Sequence, residues 1–169
     1  MSKTRIAREI TINAPRHDVW VALSDFGHVS LLNPSISRSY LTSDTASGIG
    51  TTRHCDLNAF GAGFEECVTA WEEDTYLEVN AYDFENLVSL ETMHEYFWLE
   101  GNDEQTILRG TLEYEVSEDV GSIMNVLLID RTNIKSWNAL LAGTKQFVES
   151  HEPARSAAVL HTEDVRTLI

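Results

Sequence analysis

Between Ile36 and Val116 the chain is punctuated too often for a long helix, and just afterwards its period changes. Six strand-like segments fill this stretch: Ile36–Thr42, Gly50–Leu57, Phe64–Glu72, Tyr76–Tyr82, Val88–Leu99 and Gln105–Val116. The breaks between them read SDTASG, NAFGAG, EED, DFEN and EGNDE, each with turn chemistry. Breaks this short join neighbouring antiparallel strands, because a parallel pair needs a crossover of about a dozen residues or more. From Ser122 to Ser150 the apolar residues Ile123, Val126, Leu127, Ile134, Trp137, Leu141 and Val148 recur at helical spacing. The expected frame is therefore an antiparallel meander followed by one long amphipathic helix.

The flanks complete it. From Arg5 to Asn13, Ile6, Arg8, Ile10 and Ile12 alternate with Ala7, Glu9 and Thr11, as in a half-buried strand. NAPRHDVW then opens a helix, with Asn13 or Ala14 at its cap, Pro15 in the first turn and Val19, Trp20 and Leu23 on its buried face. DFGHVSLLNPS reads as a turn and a second short helix stopped before Pro34. Pro153 ends the long helix; in the remainder Val159, Leu160, Val165 and Leu168 either dock the tail loosely or leave it disordered. The layout predicts an α+β domain over 1–150 and a tail over 151–169. Its seven-stranded antiparallel sheet curves around the C-terminal helix, and two short helices lie between strands one and two.

Composition narrows the function. A chain of 169 residues with 43% hydrophobic content can bury a core, or a core with a cavity in it. A net charge of -15 repels phosphates, which argues against nucleic acid and anionic membrane surfaces as partners. No apolar run is long enough to insert across a bilayer, and MSKTRIAREITI lacks the apolar centre of a signal peptide, so a cytoplasmic location is expected. Cys55 and Cys67 are then expected to be reduced. No CxxC or HExxH pattern occurs and no two histidines stand at helical ligand spacing, so neither metal nor cofactor is expected.

Gly48 and Gly50 precede Thr51, Thr52, Arg53 and His54, a pattern open to reading as a phosphate loop. Such a loop opens a helix, whereas these glycines open a strand. In that strand Thr52, His54, Asp56 and Asn58 are all polar, so Thr51, Arg53, Cys55 and Leu57 face inward. An inward Arg53 either meets a ligand or is paired with an internal carboxylate. Asp130 lies on the apolar stripe of the long helix, either leaning out to solvent or facing inward toward Arg53 or a ligand; Asn133 beside it is an anchor or a boundary residue. Leu108, Gly110, Leu112, Tyr114 and Val116 share the inner face of the last strand. There Gly110 leaves room for a bulge, the helix or a ligand, and the Tyr114 hydroxyl needs a partner. Two strands stay open: Met93, Glu95, Phe97 and Leu99 oppose the equally bulky Thr92, His94, Tyr96 and Trp98, and Phe64, Glu66, Val68 and Ala70 oppose Glu65, Cys67, Thr69 and Trp71. His28, His54 and His94 have no evident partner base or nucleophile, so surface or structural roles are expected and no catalytic residue is assigned.

Four stretches carry a family resemblance: ITINAPRHDVWVALSDFGHVSLLNPSI (Ile10–Ile36), GIGTTR (Gly48–Arg53), EECVTAWEED (Glu65–Asp74) and WNALLAGTKQFVE (Trp137–Glu149). Together, over about residues 5 to 150, the chain resembles the helix-grip superfamily, which includes birch-pollen-allergen-like proteins, START lipid-transfer domains and polyketide cyclase/dehydrase-like proteins. The last of these is the nearest branch. The resemblance implies a hydrophobic cavity between the sheet and the long helix. It implies that Glu66 faces inward, and Asn80 and Tyr82 with it, although Leu77, Val79 and Ala81 argue for the other face. The expected ligand-binding set is Arg53, Glu66, Tyr82, Leu108, Leu112, Tyr114, Asp130, Asn133 and Trp137.

The function implied is binding or transport of a small hydrophobic molecule (a lipid, polyketide or aromatic) by a monomer or homodimer. One alternative is a polyketide cyclase/dehydrase-type enzyme working through Arg53 with Asp130, or through a tyrosine or histidine of the wall. Another is a protein-interaction or hormone-receptor-like module, marked by exposed Leu31, Leu32 and Phe60. NAFGAGF (Asn58–Phe64) is either a lid or an ordinary hairpin turn, and a cavity filled by Trp20, Trp98 and Trp137 would defeat both ligand readings.

Overall fold

The computed structural model describes the backbone of residues 2–59, 61–87, 90–117, 123–156 and 160–169, and their side chains apart from 2 and 123–126. Chain order is β1 (Ser2–Ile12), α1 (Arg16–Ser24), a 3-10 helix (Phe26–Leu31), β2 (Ile36–Leu41), β3 (Thr52–Leu57), β4 (Gly63–Glu72), β5 (Tyr76–Glu85), β6 (Leu90–Gly101), β7 (Thr106–Val116), α2 (Ile123–Ser150), a 3-10 turn (Thr162–Asp164) and β8 (Arg166–Thr167). One antiparallel sheet runs β2-β3-β4-β5-β6-β7-β1-β8. With α2 laid against it, this is the α+β helix-grip architecture. The expected start of a strand at Val88 and the Ile123 and Val126 side chains lie outside the described residues. Among those described, no helix is long and apolar enough to cross a membrane.

The sheet has eight strands rather than seven, because the tail adds β8 to the edge of β1, pairing Arg8 with Thr167 and Glu9 with Arg166. The Leu168 amide donates to the Ala7 carbonyl, the Ala154 amide donates to that of Leu31, and Ala154 and Leu160 are buried. A two-residue strand has no alternation to read, so its only signal is the edge it pairs with. Val159 lies outside the described residues.

The start of α1 also differs from expectation. Pro15 stands at the N-cap with φ -54° and ψ 145°, and its carbonyl accepts from Asp18 and Val19. Ala14 precedes a proline, which disfavours helical backbone, and its carbonyl accepts from the buried Thr106 hydroxyl at 2.9 Å.

Two bulges rotate side chains between faces. In β4 the register shifts between Val68 and Ala70, after which Trp71 turns in to meet Trp20 edge-on at 5.0 Å. In β6 the shift lies between Leu90 and Thr92, and it brings Leu90 to the inner face although the alternation from Met93 would put it outside. At Gly110 the vacant side chain is used by the helix: a Cβ there would come within 2.8 Å of the Trp137 ring and 3.2 Å of Leu141. Trp137 donates its Nε1–H to the Gly110 carbonyl at 3.4 Å and packs on Phe97. Sheet and helix touch closely here, and the site lies beside this contact, with Trp137 in its wall.

Candidate ligand-binding cavity

The glycines that open β3 take left-handed backbone, with φ +89° at Gly48 and +88° at Gly50. The Gly50 amide donates to Val68 and the Thr51 amide to the Gly48 carbonyl, so the turn delivers a strand. Arg53 consequently points inward and is only 5% exposed. Its Nε donates to Glu66 Oε2 at 2.5 Å, its Nη1 donates to the Phe26 carbonyl at 3.0 Å, and its guanidinium lies 4.0 Å from the centroid of the Phe26 ring. Glu66, 1% exposed, also accepts from the Cys55 thiol. Burial alone would lower the Arg53 pKa, but the charge and hydrogen bond of Glu66 outweigh it and hold the guanidinium above the usual arginine range. Burial, then the Glu66 carboxylate, pushes the Cys55 thiol far up, so it is no nucleophile near neutral pH.

Beside this pair a cavity of about 490 Å³ opens between sheet and helix. That volume is in the range of small-molecule sites. Leu57, Phe64, Met93 and Leu112 form its floor, and Trp137 and Leu140 its helical wall. The mouth is edged by Pro34 and Ser35 and by Asn58 and Ala59, and the Asn58 side-chain amide donates to the Pro34 carbonyl. The β3–β4 connection closes as a turn, its Leu57 and Ala62 amides donating to Ala62 and Ala59 carbonyls; Phe60 lies outside the described residues.

Of the residues expected at the site, Arg53, Glu66, Leu112, Asn133 and Trp137 line this cavity. Four others do not. Tyr82 is on the outer face, because Leu77, Val79 and Ala81 take the inside of β5; hydrophobic alternation decides here, and Asn80 goes out with Tyr82. Leu108 is buried further along β7, opposite Ile10 and Leu99. Tyr114 is fully buried and donates its hydroxyl to Asp130 Oδ1 at 2.5 Å. Burial, then that bond, raises the phenol's pKa. Asp130 is therefore half-buried and bonded to Tyr114 rather than paired with Arg53, and the Arg53–Asp130 couple does not exist.

The inner face of β6 holds the residue that strand periodicity missed. Glu95 is 8% exposed, lines the cavity, and makes no hydrogen bond among the described residues. Its burial, then the Glu66 carboxylate, push its carboxyl up to about 8, with Arg53 opposing. The missed signal is register: Glu95 pairs with Leu112, whose inward face the alternation of β7 had already set. The bulky outer residues of β6 stack on one another, Tyr76 on Trp98 at 5.3 Å, Trp98 on Tyr96 at 5.9 Å and Tyr96 on His94 at 6.5 Å.

None of the three candidate histidines faces the cavity. His28 is exposed beside Asp25, His94 is in the outer stack, and His54 sits outside between Glu65 and Asp56. Of the three tryptophans whose filling of the cavity would have defeated the ligand readings only Trp137 lines it, since Trp98 is 37% exposed on the outer face and Trp20 packs on Trp71. Leu32 is core rather than an exposed patch, and Leu31 is half-buried. At the surface His17, Glu73 and Asp74 gather three potential metal-ligating atoms; the His17–Asp74 hydrogen bond at 2.9 Å accounts for the grouping without an ion.

A family model described as polyketide cyclase/dehydrase and lipid transport matches residues 3–138. No curated protein matches the sequence. Among solved structures, a protein of Thermus thermophilus superposes with a TM-score of 0.73 at 15% identity, over 88% of this chain and 99% of its own. Ara h 8.0201 superposes with 0.67 at 14%, over 88% and 99%. A START superfamily protein from Mycobacterium smegmatis gives 0.65 at 17%, over 85% and 98%. These identities establish likeness of fold, and the family match covers the sheet from β1 to β7, the cavity lining apart from Leu140, and the first half of α2. The chain belongs to the polyketide cyclase/dehydrase and lipid transport family.

Proposed function

We propose that this protein binds or carries a small, predominantly apolar molecule in the cavity between sheet and α2, through the domain of residues 1–150 and without nucleic acid. The observation that carries the reading is the cavity of about 490 Å³, floored by apolar side chains and bordered by a buried ion pair that is already satisfied. A satisfied pair adds little hunger for a charged ligand. The enzymatic alternative is less well supported, because its expected couple is split: Arg53 is engaged by Glu66, and Asp130 by Tyr114.

Native mass spectrometry of freshly purified protein tests the proposal, followed by titration with the neutral solvatochromic probe Nile red. The expected result is a retained apolar adduct, or stoichiometric probe binding that Leu112→Trp, which fills the cavity, abolishes without unfolding the chain. Probe binding unaffected by Leu112→Trp in a folded protein would place any ligand elsewhere.

A further inference from the structure

The polar groups around the cavity divide into two kinds. Most are already engaged: Arg53 with Glu66 and the Phe26 carbonyl, Asn33 with Ser136 and the Ser35 amide, and Asn58 with the Pro34 carbonyl. Two are not. The Glu95 carboxyl has no hydrogen-bond partner among the described residues, and neither does the buried Nδ2 of Asn133. The latter faces the Tyr114 hydroxyl and, as a donor, opposes the rise of its pKa without reaching full hydrogen-bond geometry. Both residues line the same cavity, one from β6 and one from α2. A buried polar group without a partner is costly, and a site that holds one beside a carboxyl open to the cavity gains on meeting their complement.

The sign of that complement follows from the neighbours. Arg53 of β3 and Glu66 of β4 already cancel each other's charge, so an ionised Glu95 would leave an uncompensated anion in an apolar pocket. Held in its neutral form, its carboxyl presents an O–H. The Asn133 amide presents an N–H. We propose that the cavity selects an apolar molecule bearing a neutral hydrogen-bond acceptor, such as a ketone or ester carbonyl, and that Glu95 and Asn133 fix it by donating to that oxygen. This rests on reading the cavity as the ligand site. A carboxylate beside Glu95 meets the charge of Glu66 as well, the cavity's remaining cation being the exposed Lys135, and a hydrocarbon leaves both donors unmet.

Four probes with one aromatic skeleton test it: methyl naphthyl ketone, ethylnaphthalene, naphthoate and naphthylmethylammonium, titrated into the full chain by calorimetry or fluorescence. The ketone is expected to bind about tenfold more tightly than ethylnaphthalene, with both ions weaker than the ketone. Asn133→Leu and Glu95→Met should each erase most of that preference while ethylnaphthalene still binds, and Glu95→Gln, which keeps a donor, should retain it. Because Asn133 is only half-buried, its variant remains informative if Glu95→Met fails to fold. The preference should also weaken in wild type as Glu95 ionises, in a field set by Arg53, Glu66, Cys55 and the cavity-lining Lys135, but not in Glu95→Gln. Equal binding of ketone and ethylnaphthalene overturns the acceptor selectivity and leaves the cavity reading intact. Tightest binding of the ammonium overturns it in favour of an ionised Glu95, and binding of none of the four overturns both.

Discussion

Arg53 keeps its charge inside the molecule because Glu66 meets it and Phe26 offers both a carbonyl and a ring face. The pair is structural, so breaking it should cost more than removing it. Arg53→Met leaves the Glu66 carboxyl buried without its cation, and a loss of about 3–5 kcal/mol is expected. The double variant Arg53→Met, Glu66→Leu should recover a large part of that loss, as read by urea unfolding of both proteins. A double variant less stable than the single one would refute the structural pairing. This pair was half legible in the sequence. Arg53 was placed by the wholly polar set on its strand's other face, whereas Glu66 rested on family resemblance because both faces of β4 mix polar and apolar residues. The partner of Asp130 was not legible, since Tyr114 lies 16 residues away on another element and nothing local selects it over Arg53.

At the scale of elements, the meander and the long helix were readable because each keeps one period over many residues. What was lost lay where the period breaks. The bulges of β4 and β6 each shift parity by one residue, so a face assigned from one half of a strand is wrong in the other. Glu95 fell in such a strand, and its outer aromatics masked the apolar signal of Met93, Phe97 and Leu99. Gly110 shows how one residue sets the spacing of two elements. Gly110→Ala places a methyl carbon 2.8 Å from the Trp137 ring, which is packed on Phe97 and unable to yield cheaply. The expected cost is about 1–3 kcal/mol, the range for overpacking a close-packed core. Thermal melting together with a shift in tryptophan emission checks it. Unchanged stability and emission would show that α2 is free to move off β7.

For the whole molecule, pH dependence follows from two groups on opposite faces of the sheet, and both act in the same direction. Glu95 titrates near 4.5 when unfolded but holds its proton up to about 8 when folded, chiefly because burial disfavours its charge. Between those values the folded state binds the extra proton. Stability therefore falls as pH rises, by up to about 1.4 kcal/mol for each pH unit. His54 is hemmed in on both ring nitrogens, Nδ1 to Glu65 at 2.7 Å and Nε2 to Asp56 at 3.1 Å, a geometry that asks both to donate and hence favours the imidazolium. Burial lowers its pKa, but the two hydrogen bonds outweigh that and raise it above 6.5. Its stabilisation is complete below 6.5 and is lost as pH climbs through the raised value. Self-repulsion from a net charge of -15 also grows in that direction. On the acid side Asp56, lowered first by its bond to His54, contributes above 3.8 and loses that contribution as pH falls through its folded value. The stability maximum should thus lie on the acid side of neutrality. Urea midpoints measured from pH 4 to 9 (about the span of these titrations) should decline through neutrality in wild type. Glu95→Gln should flatten the slope from 4.5 upward, and His54→Gln only that above 6.5. A midpoint that rises between 6.5 and 8 would contradict both assignments, and an unaltered slope in Glu95→Gln would mean that the cavity carboxyl is ionised in the folded protein.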